Sequence, residues 1–171
     1  ILADLMTAVE RGKDPRKMRV AFIGDGNNVA NSWVEAAHVL GFDLRLACPK
    51  GYEPDPAVLK DAERIGRGTA RIVRDPADAA RRADVLYTDV WTSMGQEAEG
   101  RKRQDAFKGY RVDSALLRLA DRGAIVMHCL PAHRGEEITD DVIEGEHSAV
   151  FDEAENRLHV QMAVLDKLIK H

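Results

Sequence analysis

The chain switches five times between a short apolar run and an amphipathic helical pattern, and this alternation limits the possible folds more than any other feature. Val20 to Ile23 is an apolar run stopped by Gly24-Asp25-Gly26, which reads as a buried strand and a turn. A helix from about Asn28 to Leu40 follows, with Trp33, Val34, Ala37 and Leu40 on one face and Gly41 as its stop. Phe42, Leu44 and Leu46 then alternate with Asp43 and Arg45, the pattern of a half-exposed strand. Asp55-Pro56 and Asp75-Pro76 each open a helix, with Asp as N-cap and Pro at the first helical position; the first of these helices is expected to reach Gly66 or Gly68. Further strands are expected at Arg71 to Val73, Val85 to Thr88 and Ala124 to Met127, the last preceded by a helix from Ser114 to Asp121 capped by Asp113. Repeated strand and helix units imply right-handed crossovers. The expected fold is therefore α/β: an open, mostly parallel five-stranded sheet with helices on both faces, Rossmann-like and doubly wound. With strands in the order 3-2-1-4-5, the chain reverses beside the first strand, and ligands bind outside the carboxyl ends of the strands at such a point. That directs attention to Gly24 to Ser32, Asp89 to Gln96 and His128 to Glu137.

Composition sets the outer limits. A chain of 171 residues accommodates one domain with room for a small second lobe, and 44% apolar with 32% charged residues is a soluble globular balance. Twenty-five Lys and Arg against 29 Asp and Glu give a net charge of -4, which argues against a nucleic-acid partner. Cys48 and Cys129 make no disulfide framework, which fits a reducing compartment with cytoplasm as the default. No apolar run approaches the roughly 20 residues of a membrane helix, so no membrane partner is expected. Ile1 already lies in a helical pattern with Leu2, Leu5, Met6 and Val9, so the chain reads as cut from something longer. Leu158, Met162, Leu165, Leu168 and Ile169 form a second apolar stripe that must pack on something. The expected divisions are a connecting helix and linker over 1–17, the α/β body over 18–150 and a C-terminal helix over 151–171. Arg101-Lys102-Arg103 and Arg81-Arg82 read as solvated faces, because Glu97, Glu99 and Asp105 offset the nearby charge.

Three segments carry candidate chemistry. Gly24-Asp25-Gly26-Asn27-Asn28-Val29 begins like a dinucleotide fingerprint, but Val29 stands at the third glycine and the second strand ends in Cys48-Pro49 instead of an acid. It is either a tight turn or a helix start whose Asn27, Asn28, Asn31 and Ser32 suit a carboxylate or phosphate. Asp89-Val90-Trp91-Thr92-Ser93-Met94-Gly95 leaves the fourth strand with a carboxylate that either holds a ligand ammonium group or caps local backbone. The run from His128 to Glu137 gathers Cys129, His133, Arg134 and Glu136. Cys129 is either a nucleophile with a lowered pKa or a structural thiol, and the ligand spacing for zinc is poor, so no metal is expected.

Taken together, Gly24-Asp25-Gly26-Asn27-Asn28, Asp89 through Ser93-Met94-Gly95, His128-Cys129-Leu130-Pro131 and Phe151 through Arg157 resemble the ornithine carbamoyltransferase family, specifically its amino-acid-binding second domain. The resemblance implies that Asn28 and Asp89 hold the α-amino acid end of ornithine, with Ser93 and Met94 on a loop that closes over it. It makes Cys129 a positioning group beside the δ-amino group, not a nucleophile. The main chain at Cys129 and Leu130, with Arg157, would help hold carbamoyl phosphate. Attack of a neutral amine on a polarised carbonyl needs no cofactor. The family's phosphate pocket comes from a first domain with Ser-x-Arg-Thr-Arg and His-Pro-x-Gln motifs; neither stands in these 171 residues. The resemblance therefore implies a missing N-terminal carbamoyl-phosphate domain as partner, a full-length homotrimer and little activity for this half alone. A carbamoyltransferase for another amine such as putrescine, or a non-catalytic Rossmann-like binding module, remain the alternatives.

Overall fold

In the computed structural model, which describes residues 1–92 and 99–170, the elements run α1 (Leu2–Glu10), β1 (Arg19–Ile23), α2 (Asn28–Leu40), β2 (Asp43–Ala47), α3 (Pro56–Glu63), β3 (Thr69–Val73), α4 (Pro76–Ala80) and β4 (Val85–Thr88). After β4 come α5 (Gly100–Ala106), α6 (Ser114–Leu117), β5 (Ile125–His128), α7 (Asp140–Ile143) and α8 (Val150–Ile169). The strands form one parallel sheet in the order β3-β2-β1-β4-β5, so the reversal beside β1 falls where the alternation placed it. Local chemistry explains the helix starts. The side chains of Asp55, Asp75 and Asp113 each accept a backbone N–H of the first turn, and Pro56 and Pro76 supply helical φ where no donor is needed. Gly41 ends α2 in the left-handed region, φ 101°, which a residue with Cβ adopts only at a cost.

Alternation along the strands feeds two cores. Val20 and Phe22 of β1, Tyr87 of β4 and Met127 of β5 pack with Trp33, Val34 and Ala37 of α2 on one face. Ala21, Ile23, Leu86 and Val126 point the other way, onto Ala79 and Ala80 of α4, Leu116 of α6 and Val142 and Ile143 of α7. Trp33 is fully buried and its ring meets those of Phe42 and Tyr87 edge-on, so truncation to Ala would cost about 3–5 kcal/mol.

Several expectations are corrected. The helix from Asp55 ends at Glu63, short of Gly66, and that from Ser114 is a single turn ending at Leu117. The last strand is shifted one residue, ending at His128. The face of α1 turned inward is Ala3, Asp4, Thr7 and Ala8, while Leu2 and Val9 of the apolar stripe are exposed. Small side chains let α8 approach closely, and Asn156 bridges the two helices by donating to Thr7 Oγ1 at 2.9 Å and Glu10 Oε2 at 2.6 Å. The stripe Leu158, Met162, Leu165, Leu168 and Ile169, expected to be packed, is exposed over its whole length. None of the described helices is long and apolar enough to cross a membrane.

Candidate functional site

Three segments converge at the carboxyl ends of β1, β4 and β5. The turn after β1 ends in Asn27, which caps α2: its Oδ1 accepts from the Val29 and Ala30 N–H groups at 2.9 and 3.2 Å. With its oxygen engaged, the Asn27 amide must present NH2 to its other neighbour, and it donates to Asp89 Oδ2 at 2.6 Å. Asp89, the first residue beyond β4, is 5% exposed, and its Oδ1 accepts from the Val90 N–H at 2.8 Å and the Cys129 thiol at 3.0 Å. Burial first, then the Asp89 charge, pushes the Cys129 thiol well above its ordinary range. A thiol held as a donor to a carboxylate is not a poised nucleophile.

The segment after β5 is braced from the opposite side of the sheet. His128 accepts the Leu130 N–H on Nδ1 at 2.9 Å, so its proton sits on Nε2, which faces Glu137 Oε1 at 3.1 Å. Glu137 Oε1 also accepts the His133 N–H at 2.6 Å. These bonds hold Leu130 at φ 52°, in the left-handed region that a branched side chain seldom enters. Since its N–H is engaged, Leu130 has its carbonyl to offer a ligand. Among the described residues, two groups bring metal-type donor atoms within 4.8 Å of one another: Asp89, His128 and Cys129, and His133, Glu136 and Glu137. The first fits a cation poorly, because both ring nitrogens of His128 are engaged and the thiol keeps its proton.

Beside Cys129 opens a cavity of about 940 Å³ between α1, α2 and α8, lined by Asn28, Ser32, Tyr87, Cys129, Glu153 and Arg157 among others. Glu153 at its wall accepts from the Tyr87 hydroxyl and the His128 N–H, each at 3.0 Å. Burial and then the neighbouring Asp4 raise the Glu153 carboxyl above its ordinary value. Arg157, one turn along α8 from Glu153, is exposed at the cavity, as is Asn28 at the start of α2.

Asn28, Cys129 and Arg157 thus share one cavity, with Asp89 immediately behind the thiol, and Leu130 follows with its side chain packed on the opposite core. Ser93 and Met94 lie outside the described residues. Sequence reasoning missed Asp4 and Glu153, whose only signal was an acid on the apolar pattern of each terminal helix, and Tyr87, which reads as one more core residue of β4. It also misread Arg103. This side chain is 4% exposed and ion-pairs with Asp25, so it belongs to no solvated face. Burial raises Asp25 to about 6 against the pull of Arg103. Gly26 settles the fingerprint question: a Cβ there would stand 2.3 Å from the carbonyl carbon of Glu53 and from Pro54 N, so the turn packs on its own chain.

An open parallel sheet with a polar crevice at its switch point makes this a Rossmann-like α/β domain. Residues 16–168 match the family model described as aspartate/ornithine carbamoyltransferase, Asp/Orn binding domain. The chain is 57% identical over 170 residues to the ornithine carbamoyltransferase of Geobacter metallireducens, covering 99% of this chain and 56% of that protein. It is 52% identical over 171 residues to that of Chlorobaculum tepidum, covering 51% of that protein. The crystal structure of the Pyrococcus furiosus ornithine carbamoyltransferase superposes with a TM-score of 0.90 at 50% identity, over 96% of this chain and 53% of that one. The anabolic enzyme of Campylobacter jejuni gives 0.92 at 37%, over 99% of this chain and 57% of that one. The chain belongs to the aspartate/ornithine carbamoyltransferase family, and what it carries is the family's Asp/Orn-binding domain. It spans about half the length of the curated relatives it matches.

Proposed function

We propose that this chain is the ornithine-binding half of an ornithine carbamoyltransferase, which makes citrulline and phosphate from ornithine and carbamoyl phosphate in arginine biosynthesis. The observation that carries this reading is Asp89: a buried carboxylate at the switch point that accepts from the Cys129 thiol, itself at the wall of the cavity. Asp89 and Asn28 hold the α-amino acid end, with Ser93 and Met94 completing that contact. The Cys129 thiol orients the δ-amine, and the carbonyls at Cys129 and Leu130 accept from the carbamoyl NH2 group. Arg157, on the cavity rim, meets the carbonyl oxygen as charge grows there. The neutral δ-nitrogen attacks the carbamoyl carbon, the carbon–oxygen bond to phosphate breaks, and the nitrogen gives up a proton. Orientation and charge stabilisation supply the catalysis, so no metal or organic cofactor takes part. A separate domain holds the phosphate and covers the exposed stripes of α1 and α8; the whole enzyme is a cytoplasmic homotrimer, and this half alone is inactive.

The test is titration calorimetry of the two-domain enzyme with ornithine, putrescine and an adenine nucleotide in the presence of phosphate, together with a citrulline assay. Ornithine alone should bind, and the 171-residue chain should make citrulline only after a separately produced carbamoyl-phosphate domain is added. Tighter binding of putrescine than ornithine, or turnover by the isolated chain, would overturn the reading.

A further inference from the structure

The geometry points to Arg103 as a positioning residue for ornithine, acting through Asp25 and the Trp91 carbonyl on the two segments that carry Asn27, Asn28 and Asp89. This rests on the reading of Asp89 as the ornithine contact. The guanidinium of Arg103, on α5, bridges two chain segments that no secondary structure joins at this level. One side ion-pairs with Asp25 Oδ2 in the turn after β1, and Nε donates to the Trp91 carbonyl at 2.5 Å in the segment after β4. Its Cζ lies 4.7 Å from the centre of the Tyr52 ring and 5.3 Å from that of Phe107; the two rings meet edge-on at 4.9 Å, so they cover one flank of a guanidinium that is itself buried. Phe107 in turn stacks on Trp91 at 5.8 Å, and the Gly26 N–H is held by the Tyr52 carbonyl at 2.8 Å.

Two consequences converge on Asp89. Asp25 stands two residues before Asn27, whose amide donates to Asp89, and Trp91 stands two residues after Asp89. Arg103 therefore fixes the spacing between the amide and the carboxylate. Asp25 is also close enough to Asp89 for their charges to oppose each other. Pairing with Arg103 cancels the Asp25 charge and leaves Asp89 as the carboxylate an ammonium group meets. A solvated arginine at this place would do neither.

Steady-state kinetics of the two-domain enzyme test this with Arg103→Lys, Arg103→Gln and the double variant Asp25→Asn/Arg103→Gln. The double variant removes both charges together, which avoids stranding one of them in the interior. Both Gln variants should raise the ornithine KM about tenfold or more while the carbamoyl phosphate KM stays within about twofold. Arg103→Lys, which restores the charge without the fork, should fall between wild type and Arg103→Gln. An ornithine KM unchanged in a folded double variant overturns the inference, as does an equal rise of both KM values. If Asp89→Asn leaves the ornithine KM unaltered, the underlying reading of the site falls, and the inference with it.

Discussion

Replacing Asp89 by Asn removes one charge from a group whose every partner is a donor. Oδ1 holds the Val90 N–H at 2.8 Å and the Cys129 thiol at 3.0 Å, and Oδ2 holds the Asn27 NH2 at 2.6 Å. In the least costly orientation the new amide keeps its oxygen toward Val90 and Cys129 and turns its own NH2 against that of Asn27. Asn27 cannot rotate in response without surrendering the cap of α2, itself worth about 1 kcal/mol. A charge-assisted hydrogen bond is lost and a half-buried donor is stranded, so the 171-residue chain should lose about 2 kcal/mol in urea denaturation. Ornithine should suffer separately: loss of the charge facing its ammonium group costs about 1.5–3 kcal/mol, or roughly 10- to 150-fold in KM for the two-domain enzyme. Carbamoyl phosphate makes no demand on that charge, and its KM should move by less than about threefold. Equal losses for both substrates would make Asp89 a purely structural residue and refute this reasoning, as would a stability loss with the ornithine KM intact.

Cys129 should resist alkylation: at pH 8 iodoacetamide should label it at least about tenfold more slowly than a free thiol, and Cys129→Ser should keep part of the turnover. A carbamoylated Cys129 trapped during turnover would contradict this. The Asp25 carboxyl, raised to about 6 in the fold from 3.8, binds its proton more tightly folded than unfolded. Its contribution to stability is therefore full below about pH 4 and is lost as pH rises through 6. Relative to Asp25→Asn, the wild-type chain should lose on the order of 3 kcal/mol across that window in urea melts, and a flat difference would refute the shift. Leu165, 57% exposed on α8, should accept Lys within about 0.5 kcal/mol in the isolated chain yet fail to restore activity with the carbamoyl-phosphate domain. Sedimentation should show this chain as a monomer or a weak dimer, and a stable trimer at micromolar concentration would count against the proposed division of labour.

The sheet was legible because β1, β4 and β5 are short apolar runs and β2 alternates apolar with charged residues, and the Asp-Pro pairs mark helix starts by a local mechanism. The short helices α5 and α7 were not. α5 is almost wholly charged or polar, and the single-turn α7 has too few residues to show a period. Periodicity on α1 and α8 revealed helices but not which face is covered, since Asn156 reaching Thr7 depends on residues far apart in the chain. Arg103 was misread for the same reason: local acids appeared to balance it, while its actual counterion, Asp25, lies in a distant turn. Between two adjacent asparagines the residues alone left the choice open and the family resemblance implied Asn28 for the ligand; the structure adds that Asn27 is the one touching Asp89.

The collision at Gly26 carries a lesson for protein engineering. In a nucleotide-binding turn the second glycine clears room for a pyrophosphate, whereas here that room is filled by the backbone of Glu53 and Pro54. Rewriting the helix start as a full glycine fingerprint would leave the obstruction in place, because it comes from the loop between β2 and α3. A designer wishing to install a dinucleotide on this scaffold would have to shorten or redirect residues 49–54 first. The two glycines this chain shares with the fingerprint therefore serve the packing of its own loop and leave no berth for a pyrophosphate.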